Sequence, residues 1–173
     1  MPALPVAMVV LRALTHEELR LLADGEVPAA LRGRAEEGAL PPAFVAARSL
    51  QQLAAGQPAF WCSTFLICSS DSGRVLGACG FKHALRGGRI EIGYGVAPAC
   101  QRAGVATQAV AQLLALAFGA GAREVLAEVS PQNPASTRVV QKLGFQPLGP
   151  RVDEDGETVV QWLAAGPAPP AAG

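Results

Sequence analysis

The chain has 173 residues, a length that suits one domain, and at 50% hydrophobic it holds ample material for a core. Its 14 basic and 14 acidic residues cancel to a net charge of zero. No basic stripe supplies the phosphate contacts that dominate nucleic-acid affinity, so general DNA or RNA binding is disfavoured, although a folded RNA-associated protein stays open as a substrate.

Met1 to Leu14 is apolar but has no basic leader, contains Pro2 and Pro5, and meets Arg12 well short of the roughly 18 residues a membrane span needs. Neither a signal peptide nor a membrane helix is expected. Val6 to Leu11 reads as a first strand. Thr15 followed by Glu18 forms a capping box that starts a helix running through Leu22, with His16 solvated at its start. Pro28 and Pro42 each open a further helix, the second covering Phe44 to Leu53.

Two apolar runs, Phe60 to Cys68 and Val75 to Lys82, flank the turn-rich segment from Ser69 to Arg74 and read as a hairpin. Trp61 and Phe65 are assigned to the core. His83 stands just past the third strand, either in a surface turn or within reach of an acceptor site. The turn Arg86-Gly87-Gly88-Arg89 leads into a fourth strand in which Ile90, Ile92, Tyr94 and Val96 alternate with Glu91, Gly93 and Gly95. The result is an antiparallel meander.

Beyond Ala97-Pro98, a helix is predicted to open at Gln101, with Ala106, Ala109, Val110, Leu113, Leu114 and Ala117 on one stripe. A helix start leaves about four N–H groups without partners and carries roughly +0.5 charge, a natural seat for a phosphate. Ala103, Gly104, Val105 and Ala106 let an anion approach the main chain, and Arg102 and Thr107 add side-chain donors. An ordinary strand-to-helix corner is the plain alternative. A P-loop is excluded because neither lysine, Lys82 nor Lys142, follows the required glycine loop, and a dinucleotide fingerprint fails because Gly93-Tyr94-Gly95 lies inside the strand.

Arg123 to Val129 reads as a fifth strand, broken by Ser130-Pro131-Gln132-Asn133-Pro134 before a helix from Ala135 to Leu143. Strand, helix, strand implies a parallel crossover. Sixth and seventh strands follow at Phe145 to Leu148 and Thr158 to Leu163, around an acidic tip, Asp153-Glu154-Asp155-Gly156-Glu157. Residues 1–165 form the domain and 166–173 a flexible Pro/Ala-rich tail. Cys62, Cys68, Cys79 and Cys100 show no Cys-x-x-Cys spacing, which favours reduced thiols and a cytoplasmic setting, with Cys100 alone near the anion seat.

Gln101-Arg102-Ala103-Gly104-Val105-Ala106 resembles the acetyl-CoA-binding signature Gln/Arg-x-x-Gly-x-Gly/Ala of the GNAT superfamily of N-acyltransferases. The resemblance extends to Glu-Ile-Gly-Tyr-x-Val-x-Pro at 91–98, to Asn133-Pro134-Ala135-Ser136 and to Lys142-Leu143-Gly144-Phe145, a set similar to the ribosomal-protein N-terminal acetyltransferases. It implies a single α/β GNAT domain with a mixed seven-stranded sheet splayed between strands 4 and 5. A bulge near Gly95-Val96 would open the splay for the amides of pantetheine. The cosubstrate is then acetyl-CoA, with no metal. Val96, residues 101–107, Asn133 and Ser136 line its path, and an amine acceptor sits against the variable segment between the first two strands. A homodimer is compatible with this reading.

Acyl transfer to an amine needs a neutral amine and a proton for the departing thiolate. At pH 7 a lysine of pKa about 10.4 costs about 4.6 kcal/mol to deprotonate and an α-amine of about 7.8 only about 1 kcal/mol, so without an evident His–Asp pair the easier amine is favoured. Glu91, the one carboxylate on the fourth strand, is the candidate base, against a structural pairing with Arg89 or Arg86. A carboxylate in 153–155 is the alternative. The tyrosine that many relatives use as acid is replaced here by Val140, and the resemblance carries that role to Ser136. Asn133 matches a pantetheine contact and also suits a helix N-cap. The missing tyrosine keeps a non-catalytic acyl-CoA-binding module open as the rival.

Overall fold

The structure, a computed structural model, describes residues 8–167. The start of the first expected strand and residues 168–173 of the expected tail lie outside that range. Seven strands form one sheet: β1 (Val9–Ala13), β2 (Thr64–Ser69), β3 (Val75–Phe81), β4 (Arg89–Val96), β5 (Glu124–Val129), β6 (Gln146–Val152) and β7 (Thr158–Ala165). Four α-helices accompany it: α1 (His16–Ala23), α2 (Ala43–Ala54), α3 (Val105–Gly119) and α4 (Pro134–Lys142). The order across the sheet is β1-β2-β3-β4-β5-β7-β6, with β4 and β5 parallel and every other neighbour antiparallel.

The alternation of each strand divides the apolar side chains between two cores. On one face Phe65, Ile67, Phe81, Ile90, Ile92, Val125 and Ala127 pack with Val105, Ala109, Val110, Leu113 and Ala117 of α3 and Val139 and Val140 of α4. On the other, Leu66, Cys68 and Val75 meet Leu19 and Leu22 of α1 and Ala46 of α2. Trp61 and Phe65 stand edge-on to Phe81 in the first core, as expected of them.

The capping box starts α1 as the sequence predicts: the Thr15 hydroxyl accepts from the Glu18 N–H, and the Glu18 carboxylate accepts from the Thr15 N–H. Glu18 also receives both guanidinium nitrogens of Arg12, at 3.0 and 2.9 Å. That hydrogen-bonded pairing, opposed by burial and helped by Thr15, holds its carboxyl below the usual range. The helix expected after Pro28 is only a 3-10 turn, Ala29–Leu31. α2 runs from Ala43 to Ala54, close to its predicted span.

Two expectations need correction. The apolar run from Phe60 is not strand throughout. Ala59–Cys62 is a 3-10 turn behind Pro58, whose carbonyl accepts from the Cys62 thiol, and β2 begins only at Thr64. Nor does a bulge at Gly95-Val96 open the sheet: β4 runs against β3 in unbroken register from Phe81↔Ile92 to Gly77↔Val96. The splay comes instead from the parallel side. Pairing of β4 with β5 ends at Ile92↔Ala127, so from Gly93 on one side and Glu128 on the other the two strands no longer pair with each other.

Candidate active site

Two surfaces meet at that divergence, and the first is the turn from β4 into α3. The helix predicted from Gln101 begins four residues later, because Arg102 (φ 68°) and Gly104 (φ 77°) are left-handed and cannot belong to an α-helix. Glycine accepts this conformation freely; Arg102 is the one other positive-φ residue besides glycines among those described. The backbone therefore turns its donors outward. Among the described residues the N–H groups of Arg102, Ala103, Gly104, Val105, Ala106 and Thr107 donate to no protein partner, and the Thr107 hydroxyl has none either. No acidic residue stands in the first turn of α3.

Six adjacent free N–H groups at a helix start can hold an anion such as a diphosphate. Gln101 Nε2 donates to the Val96 carbonyl at 3.3 Å and so ties the turn to the end of β4. Far from the turn, Gln108 Oε1 accepts from the Val9 N–H and Gln112 Nε2 donates to the Val9 carbonyl, anchoring α3 to β1.

On the far side of the splay, Asn133 caps α4 by accepting from the Ser136 N–H at 3.1 Å. Tyr94 leans across from β4, and its hydroxyl donates to the Ser136 carbonyl at 3.3 Å. Burial pushes the Tyr94 phenol above its ordinary value, the contact with Ser136 pulling back, so it is a protonated donor at neutral pH. Val140 has no polar function here; it is fully buried in the core.

The second surface is a cleft of about 1230 Å³ on the α2 side of the sheet. Its walls are α2 and the preceding Pro41-Pro42 segment on one side and the β6–β7 tip on the other; β3, β4 and Glu128 of β5 form the floor. Gly93 and Gly95 keep that floor low, and a Cβ added at Gly95 would meet nothing within 4 Å. His83, in the bend after β3, lines the cleft, its Nδ1 2.7 Å from the Ala84 carbonyl.

Glu91 is in the cleft, but its carboxylate is tied to Lys82 Nζ at 2.9 Å rather than to Arg89 or Arg86. Arg89 pairs with Glu124 instead. The neighbour of Glu91 is Glu128, one step past the last β4–β5 pair, which lines the same cleft and lies 3.5 Å from Arg151 Nη1. Burial first, then the Glu91 charge and the hydrogen bond to it, push the Glu128 carboxyl above the usual carboxylate range, while Arg151 and Lys82 pull the other way. A carboxyl held above the usual range beside a second carboxylate is suited to take a proton from an amine.

Sequence reasoning missed Glu128. It reads there as one more residue of an apolar strand, and only the parallel register brings it to the face shared with Glu91. Asp153, Glu154 and Asp155 all line the cleft from the β6–β7 tip, where Asp153 Oδ1 accepts from the Asp155 and Glu157 N–H groups and Glu154 and Asp155 stay exposed. Cys100 is a thiol rather than a thiolate, held up by burial and by Glu36 against Arg74. All four cysteines are free, and burial pushes Cys79 to about 12. Among the described residues no group of three or more His, Cys, Asp or Glu is arranged to hold a metal, and no helix is long and apolar enough to cross a membrane.

A family model described as an acetyltransferase (GNAT) domain matches residues 9–146. A comparison with curated protein sequences finds no match. Among solved structures, Mycobacterium smegmatis RimJ in complex with CoA-disulfide superposes with a TM-score of 0.66 at 18% identity, over 93% of this chain and 83% of that one. Ribosomal-protein-S5-alanine acetyltransferase from Vibrio fischeri gives 0.65 at 13% identity over 91% and 92%. Aminoglycoside acetyltransferase AAC(6')-Ib in complex with coenzyme A gives 0.62 at 20% identity over 91% and 95%. At such identities these structures share the fold.

Proposed function

The chain belongs to the GNAT acetyltransferase family, and from that premise we propose that it moves an acetyl group from acetyl-CoA to a primary amine by direct attack in a ternary complex. The observation that carries this reading is the pair of surfaces on either side of one splay: free main-chain donors at 102–107 and a carboxylate-lined cleft. Acetyl-CoA supplies the activated thioester. Residues 102–107 grip its diphosphate, with Val105 and Ala106 offering main-chain nitrogens and Arg102 and Thr107 side chains. The unpaired edges of β4 beyond Ile92 and β5 beyond Ala127 offer main-chain groups to an amide-bearing arm, past Val96 and Asn133.

Glu128 is the base, taking the proton of the incoming ammonium directly or through one water, and Glu91, fixed by Lys82, keeps its value raised. The free amine pair attacks the carbonyl carbon, the carbon–sulfur bond breaks, and the sulfur needs a proton. Tyr94 supplies it: a phenol is the stronger acid beside a serine hydroxyl, and it lies at the Ser136 backbone where the sequence resemblance puts that role. The acceptor class includes protein N-terminal α-amines and small amines. Four free cysteines accord with a cytoplasmic, reducing setting.

The test is thiol release from acetyl-CoA across a panel of small amines and peptide N-termini, run beside calorimetric titration with CoA. Turnover with a saturable acceptor is the expected result. Tight CoA binding with no thiol release would make the chain an acyl-CoA-binding module, and no CoA binding would overturn the reading.

A further inference from the structure

The cleft floor is nearly neutralised from within: Lys82 answers Glu91, and Arg151 answers Glu128. Of the other charged residues on its walls, Arg86, Glu154 and Asp155 are exposed and Asp153 is bonded to the backbone of its own tip, which leaves Arg48. Arg48, on the inner face of α2, lines the cleft half-buried, and among the described residues no carboxylate or carbonyl accepts from it; its one charged neighbour of consequence is Glu91. A guanidinium carries five N–H donors in a planar fork that fits a carboxylate or phosphate in two parallel bonds. Burial pushes Arg48 below its ordinary value, against the attraction of Glu91, which is the mark of a cation lacking its counter-ion.

Arg48 is also held in place. One residue on, the Ser49 hydroxyl meets the Thr64 hydroxyl at 3.0 Å in a buried contact, and one turn on, Gln52 Nε2 donates to the Lys82 carbonyl at 2.6 Å. These bonds fix α2 on the sheet and aim its inner face at the cleft. A pre-positioned, unanswered fork costs little to organise when an anion arrives.

We infer that the acceptor is an amine carrying its own anionic group, with its ammonium at the Glu128–Glu91 pair and its carboxylate or phosphate on Arg48. The inference rests on reading the cleft as the acceptor site of an N-acetyltransferase. Arg48, Glu91 and Glu128 line one cleft, so a single small acceptor carrying both charges can reach all three. Amino-acid-like molecules and acidic peptide N-termini have that form. A polyamine does not, and it would bring a second cation toward Arg48.

The experiment compares glycine and β-alanine with their primary amides, aminomethylphosphonate and putrescine, in the wild type and in Arg48→Gln and Arg48→Lys. It reads kcat/KM by thiol release and, separately, binding to the CoA-loaded protein by calorimetry. The acid-to-amide ratio within each protein, compared between proteins, cancels differences in amine basicity. The wild-type ratio should exceed that of Arg48→Gln by about tenfold, largely through KM, with Arg48→Lys between them. Aminomethylphosphonate separates phosphate-type from carboxylate-type anions. An unchanged ratio in Arg48→Gln, a wild-type preference for putrescine, or no acid binding to the loaded protein would each overturn the inference. A protein that binds the acids in an Arg48-dependent way without releasing thiol would keep the inference and sink the catalytic reading.

Discussion

The two sides of the splay are built from different materials. At the β4–α3 turn the proposed anion donors are main-chain N–H groups, exposed because Arg102 and Gly104, two residues apart, are left-handed. In the cleft the lining groups are side chains: Glu91 from β4, Glu128 from β5, Lys82 after β3, Arg48 from α2 and Arg151 from β6. A main-chain grip depends on backbone shape and tolerates most side chains, so it leaves a short contiguous motif. A side-chain cleft depends on five separated residues meeting, and any of them can change the acceptor without disturbing the fold.

The sharpest way to break this contrast is Glu128→Gln. Loss of a positioned base should lower kcat by roughly 10²- to 10⁴-fold while calorimetric CoA binding persists. Glu91→Gln, which touches the base rather than the amine, should cost about tenfold; a reversed order would return the base to Glu91. The wild-type kcat/KM should rise with pH through a limb above the ordinary carboxylate range, and Glu128→Gln should lose that limb. The stability sign follows from the same shift. With its folded value raised, protonated Glu128 contributes stability that is complete below the unfolded value and lost as pH rises through the folded one. Glu128→Gln should therefore raise Tm by about 2 °C near pH 8, and by less as the solution is acidified, in scanning calorimetry.

Next comes the group between the two surfaces. Tyr94→Phe keeps the ring and removes the proton donor, and should lower kcat by about 10²-fold with KM for acetyl-CoA little changed. Ser136→Ala should cost less than tenfold, since the serine contacts Tyr94 through its backbone carbonyl; a larger loss in Ser136→Ala would return the acid role to the serine.

On the main-chain side the effects are smaller and fall on binding. Gly104→Val forces a β-branched residue to φ 77°, a strain of about 1–3 kcal/mol, and should weaken CoA binding about tenfold by calorimetry, because relaxing the turn rotates the donors away. Arg102→Ala should weaken it only two- to threefold, by about 0.5 kcal/mol that vanishes in high salt, since the exposed side chain adds to donors already present. An Arg102 effect larger than that of Gly104 would mean that side chains, not the main chain, hold the anion.

The element order, the parallel crossover and the seven strands were readable in the sequence because apolar period and turn residues are local properties. So was the position of the turn before α3, although its helix starts four residues later than the pattern predicts. The Glu91 site was half readable: its strand and face were right, its partner was not. Lys82 lies nine residues before it on the neighbouring strand's end, and no local pattern reports an antiparallel register.

By itself, then, the sequence determined the fold, since alternation, capping and turn residues act over a few residues. Tertiary structure alone decided where the sheet parts, which carboxyl is raised and which guanidinium goes unanswered. Those are consequences of register and burial between segments far apart in the chain, and a carboxylate or an arginine has no distinct chemistry until its neighbours are in place.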